Sequence, residues 1–340
     1  MERKLKDYAV ISLKGIAMGA ADVVPGVSGG TIALIAGIYK ELIDTFTKIN
    51  FGLIKIIRKE GFVKAFYSVN GPFLVALLSG IIFSILSLAK LFHFLLETEP
   101  VSVWSFFFGL IIASVWLVGK RVSIWNLSNI VALIVGAVLS YGITILSPAS
   151  GPDTLLFLFI SGMLAFVAMI LPGISGSFIL LLLGAYQLVL GKVSSLIDSV
   201  RHFEMDLLLS NLVSLGVFAL GGVIGLLSFS RVLKWMFEKH EARTLALLSG
   251  FLIGSLNKVW PWKQTTEVFI KHQGEVNESV VALVQNNVLP NDSYRVISDA
   301  DALLGMTVKD PQLGLAIVFG IAGFLIIFLL ERFSAKYTAE

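Results

Sequence analysis

The sequence predicts an all-α polytopic membrane protein built as an inverted repeat, with about six transmembrane helices and two opposed re-entrant hairpins. Three observations carry this prediction. First, 56% of the 340 residues are hydrophobic and only 14% are charged, with a mean hydropathy of +0.87, whereas soluble domains carry about a quarter charged residues. Second, Pro25-Gly26-Val27-Ser28-Gly29 recurs as Pro172-Gly173-Ile174-Ser175-Gly176, 147 positions later, and Gly15/Gly162, Ala21/Ala168, Gly37/Gly184 and Tyr39/Tyr186 keep the same register. Third, lysine and arginine concentrate in alternate connections, as cytoplasmic loops require.

The elements follow in order. Met1-Glu2-Arg3-Lys4-Leu5-Lys6 is basic and leads into an apolar run without a small-residue cleavage site, so it is expected to be retained rather than removed as a signal peptide. The first broken region, 9–45, holds two short apolar limbs around Pro25-Gly26. Freed backbone groups there find no water in a bilayer, which makes such a break costly. Three spans are expected at about 71–91, 103–119 and 129–147, each close to the roughly 20 residues a bilayer core requires. The second broken region, 155–190, repeats the first, and spans follow at about 207–229, 244–262 and 312–331. The two repeats therefore divide the chain into 1–150 and 151–340. The polar stretch 263–311 inserts before the last span and reads as an extracytoplasmic cap with too few apolar residues for a core of its own.

Topology follows from the charges. Residues 1–14, 46–70, 120–128, 231–243 and 332–340 together hold 17 lysines and arginines, against 6 in the remaining connections. That pattern works only if each broken region enters and leaves on one side, with both termini cytoplasmic. The first hairpin then opens to the cytoplasm and the second to the exterior, the arrangement of alternating-access transporters. Leu78-Ser79-Gly80 aligns with Leu220-Gly221-Gly222, and Phe108-Gly109-Leu110 with Ser249-Gly250-Phe251.

The hairpin tips are the candidate binding site. After the breaks at Pro25, Gly26, Pro172 and Gly173 come Ser28, Gly29, Gly30 and Thr31 in one copy and Ser175, Gly176 and Ser177 in the other. Glycines admit close approach, and the first amides of a helix lack intrahelical partners. Together with the helix dipole they suit an anion such as phosphate; close helix packing is the competing role for small residues. Asp22, with Met169 at its counterpart position, is an intramembrane carboxylate and hence a candidate for proton or Na+ coupling, against a simple capping role. Lys40, Lys90 and Arg231 are candidates for head-group attraction, with interfacial anchoring as the alternative. The six tryptophans read as an interfacial belt. There are no cysteines, and the four histidines lack paired ligand spacing, so no metal site and no cofactor are expected. The small net charge of +3 makes nucleic acid a poor partner.

The run from Gly19 to Thr31 with Gly37-Ile38-Tyr39, and the second run Leu171-Pro172-Gly173-Ile174-Ser175-Gly176-Ser177, resemble the double hallmark of the PopT-type polyprenyl-phosphate translocases over nearly the whole chain. The resemblance implies a non-enzymatic lipid flippase of the cytoplasmic membrane. Such a protein returns undecaprenyl phosphate from the outer to the inner leaflet for reuse in peptidoglycan and other envelope polymers. The 263–311 insertion has no clear place in the family pattern. Read from the residues alone, a small-anion symporter using the same tips stays open. An aquaporin-type channel would need Asn-Pro-Ala at the breaks, and a lipid phosphatase would need a nucleophile that is not evident.

Overall fold

The computed structural model describes residues 3–24, 27–50, 52–146, 151–271, 279–290, 295–296, 307–308 and 310–338. The chain opens with α1 (Leu5–Val23). Its entry is fixed by the Lys4 amide donating to Asp7 at 2.7 Å, and Pro25 forbids its continuation because proline disfavours helix in the residue before it. A half-helix, α2 (Gly29–Ile35), follows, capped by the Ser28 hydroxyl accepting from the Gly30 amide. Gly37, at φ 74°, turns the chain into α3 (Tyr39–Lys48). Two short helices, α4 (Gly52–Glu60) and α5 (Phe62–Ser68), then lead to α6 (Gly71–Thr98), α7 (Pro100–Lys120) and α8 (Leu127–Ile145). Prolines at the first turns of α6 and α7 occupy the one place in a helix where a missing N–H costs nothing.

The second half opens in the same order, with a helix, a half-helix and a helix. Thr154 caps α9 (Leu155–Ile170), a turn follows, and the half-helix α10 (Gly176–Leu182) leads through Gly184, at φ 72°, into α11 (Ala185–His202). The bend between α10 and α11 is 104°. At 7 residues each, α2 and α10 are about 10 Å long, far short of the roughly 30 Å of a bilayer core. Next come α12 (Met205–Ser255), strands β1 (Lys263–Lys271), β2 (Ser279–Asn287), β3 (Arg295–Val296) and β4 (Thr307–Val308), and α13 (Leu313–Thr338). Among the described residues α6, α7, α8 and α12 are long and apolar enough to cross a membrane, and α10 with α11 makes a fifth if the bent pair is one span.

The structure corrects several expectations. Residues 231–243 are not a loop. Helix runs on through Lys239, and His240 (φ −142°, ψ 49°) is a kink that divides the 51 residues of α12 into two helices. The helix formers from Arg231 to Lys239 sustain helix where charge alone suggested a connection. The helix ends at Ser255, before the expected limit of 262. Residues 46–70 contain α4 and α5 rather than plain loop, and the insertion departs from an all-α class: β1 pairs antiparallel with β2, and β3 with β4.

Helices approach so closely that backbone meets backbone at glycine. A β-carbon at Gly15 would strike the carbonyl of Leu77, and one at Gly80 that of Ser12, which joins α1 to α6. In the second half Gly162 faces the Phe218 carbonyl and Gly221 that of Phe159, which joins α9 to α12. Gly80 therefore matches Gly221, one residue off the alignment read from the sequence. The last helices pack across the halves. Gly109 of α7 meets Gly320 of α13, and Gly323 of α13 meets Phe106; Gly136 of α8 meets Leu247 of α12, and Gly250 meets Leu133. Close backbone approach of this kind is how helices associate where lipid offers no hydrophobic drive.

Candidate functional site at the meeting of the two breaks

The two motifs, far apart in sequence, meet in one apolar core that includes Val24, Val27, Ile170 and Ile174. The Ser28 hydroxyl donates to the Leu171 carbonyl at 3.2 Å, and the Thr31 hydroxyl accepts from the Gly173 amide at 3.0 Å. Tyr39, fully buried behind them, donates to the Ile170 carbonyl at 2.9 Å. A β-carbon at Gly30 would lie 2.7 Å from that same carbonyl oxygen. Each of the three hydrogen bonds satisfies a backbone group at the second break, so the first tip caps the second.

The two tips differ in what holds their own amides. Asp22 accepts from the Gly29 amide at 2.7 Å, the Ser28 hydroxyl accepts from Gly30 at 3.1 Å, and the Ser28 carbonyl accepts from Thr31 at 3.0 Å. The start of α2 thus already holds an anion of its own, the Asp22 carboxylate. At the start of α10 the corresponding neighbour is Met169, whose Cγ would lie 2.5 Å from a β-carbon at Gly176. Ser175 and Ser177 there share a 2.9 Å hydroxyl contact, and Ser175 makes no side-chain cap. Pro172 and Gly173 form the turn, with Gly173 at φ 80°; Pro25 and Gly26 lie outside the described residues.

The outlying basic candidates are not gathered at the tips. Lys40 pairs with Glu241 at 2.5 Å and lies over the Phe237 ring. Arg231 donates to the carbonyls of Leu227 and Ile49, which ties α12 to the end of α3. Lys90 falls inside α6, and its side chain is outside the described part. Two lysines that the sequence reading passed over do come close to the second break. Lys258 lines a small pocket with Gly173, Ser175 and Phe178, its ammonium 4.2 Å from the Phe178 ring centre. Lys263 is 8% exposed, donates to the Lys258 carbonyl at 2.6 Å and lies over the Trp104 ring. Burial, and then the nearby Lys258 charge, push its ammonium well below the usual lysine range. Trp104 and Trp262 are buried and so do not serve the interfacial belt, whereas Trp116, Trp125 and Trp235 are about half exposed, as belt residues are.

A helical multi-pass membrane protein with two broken segments joined tip to tip in its core is the class these observations define. The chain belongs to the undecaprenyl phosphate translocase-like family, whose model matches residues 18–277. A polyprenyl-phosphate transporter of Vibrio cholerae is 43% identical over 336 residues, covering 99% of this chain and all of the relative. A polyprenyl-phosphate transporter of Staphylococcus aureus is 32% identical over 268 residues, 75% of this chain and 87% of the relative. No solved structure matches the chain.

Proposed function

We propose that this protein translocates a polyprenyl phosphate, with undecaprenyl phosphate as the carrier, from the outer to the inner leaflet of the cytoplasmic membrane. Family membership and two transporter relatives, one of them matched over its full length, support the substrate class. The observation that carries the mechanism is the tip-to-tip contact of Ser28 and Thr31 with Leu171 and Gly173. It lets one phosphate pass from tip to tip by a short step. The halves act as an inverted repeat about that point. The matched glycine contacts of α1 with α6 and α9 with α12 support this reading, as does the brevity of α2 and α10, which suits re-entrant hairpins.

In this scheme Ser28, Gly29, Gly30 and Thr31 receive the phosphate on the cytoplasmic side, and Ser175, Gly176 and Ser177 on the outer side. Asp22 holds the Gly29 amide while ionised. A proton on Asp22 removes the competing charge and frees that amide for phosphate, which couples inward movement to protons. Na+ would have to displace the same bond to act instead.

Reconstitution into liposomes, with undecaprenyl phosphate detected leaflet by leaflet, tests the function. Movement of the lipid is expected; uptake of a small anion with no lipid movement would support the symporter. Topology is tested by labelling. A cysteine at Leu289, 71% exposed beyond β2, should react from outside intact cells. Asn287 suits this less, because it bonds Asn257. Reaction only after permeabilisation would overturn the proposed orientation.

A further inference from the structure

The pocket beside the second break has features that the tip alone does not explain. Its polar lining comes from Ser140 and Thr144 of α8, Gly173 and Ser175 at the break, and Lys258 just past the end of α12. The Ser140 hydroxyl is 1% exposed and has no hydrogen-bond partner among the described residues. Such a buried orphan is unfavourable unless a ligand supplies the partner. Lys258 lines the same pocket, Lys263 donates to the Lys258 carbonyl, and among the described residues no carboxylate pairs with either. The nearest polar side chains on this side, Thr144 and Asn257, are neutral and bonded to each other at 2.7 Å.

A half-buried Lys258 bonded to a buried Lys263, with no counter-charge among the described residues, is an arrangement that an anion would relieve. The insertion holds it in place. Trp260 donates to the Val288 carbonyl, Trp262 to that of Pro311, and Asn287 to that of Asn257. These bonds seat the base of β1, where Lys263 begins, against Trp104.

We infer that this pocket, which as it stands has room for about one water, widens to become the outer loading site for the phosphomonoester head group. Lys258 and the Ser140 and Ser175 hydroxyls bind it directly, and Lys263, bonded to the Lys258 carbonyl, positions Lys258. The inference rests on the proposed function and deepens it. The second tip binds through side chains of α8 and the base of the insertion, while the first tip holds Asp22 in place of the lipid. The insertion gains a role as the mount for Lys263.

The test is binding by the purified full chain in detergent. Farnesyl monophosphate is titrated while tryptophan fluorescence is followed, with farnesol and inorganic phosphate as comparison ligands. Wild type is expected to bind the monophosphate and to bind farnesol far more weakly. Lys258→Gln should lose about tenfold to a hundredfold in affinity, as expected for a charge-assisted contact. Lys263→Gln should lose less, and Lys258→Arg should keep most of the affinity. Ser140→Ala should weaken binding severalfold without lowering the melting temperature, since it removes an unpaired hydroxyl; it decides the matter if a lysine variant fails to fold. Wild-type affinity in Lys258→Gln and Ser140→Ala would overturn the pocket and leave the proposed function standing. A wild type that binds neither phosphate would overturn both. Lysine-dependent binding of inorganic phosphate as tight as that of the lipid analogue would uphold the pocket and shift its ligand to a free anion.

Discussion

Gly173→Val is expected to abolish transport and to lower the melting temperature of the purified protein substantially. Gly173 sits at φ 80°, a region that costs an ordinary residue about 1–2 kcal/mol and a β-branched one more. Its β-carbon would also lie 2.8 Å from the Phe251 carbonyl oxygen, and overpacking of that kind costs about 1–3 kcal/mol. The amide of this residue donates to Thr31, so a shifted turn also loosens the contact between the tips. Gly191→Ala is the control. Gly191 lies in α11 with nothing near its notional β-carbon, so alanine there should be neutral or stabilise by up to about 1 kcal/mol. Equal melting and transport for Gly173→Val and wild type would show that the break is not built as described.

Asp22→Asn should separate binding from drive. Asparagine keeps an oxygen acceptor for the Gly29 amide, so the fold should hold, but it cannot exchange a proton. Translocation in liposomes should then lose its response to an imposed pH gradient while exchange between leaflets continues. Asp22→Ala instead leaves the Gly29 amide without its 2.7 Å acceptor, an expected loss of about 1–3 kcal/mol in stability. The reciprocal change, Met169→Asp, sets a carboxylate against the second tip and should block loading there. A full response to the gradient in Asp22→Asn would remove Asp22 from the coupling scheme.

Local chemistry was what the sequence made legible. Proline followed by glycine at matched positions announces broken helices, because proline removes an N–H and clashes with the preceding turn while the glycine after it can take up a positive φ. The contrast of Asp22 with Met169 was visible for the same reason, and it separates a tip that carries its own anion from one that does not. The alternation of charge marked a break at 231–243 that the structure narrows to the kink at His240. There the hydrophobic run gives way to polar helix formers, and helix persists to His240 because nothing in the segment breaks it. Lys258 and Lys263 escaped notice because their neighbours at the second break are far away in the chain. Only the return of α12 brings them together, and two lysines near a span end look like ordinary anchors until their burial is known. The insertion was unreadable for a related reason, since Trp260 and Trp262 earn their hydrogen bonds only from residues beyond the β1–β2 hairpin.

The exchange of last helices between the halves has a consequence for synthesis. Gly109 of α7 is shaped to receive Gly320 of α13, which the ribosome makes only after the whole second half and the insertion. Until then α7 presents a bare small-residue groove to the lipid, and the first half waits in the bilayer as an incomplete body. A nascent chain arrested before residue 313 should therefore be a better client for membrane quality control than one arrested after residue 338. Either half expressed alone should be degraded, and the two expressed together should rescue one another.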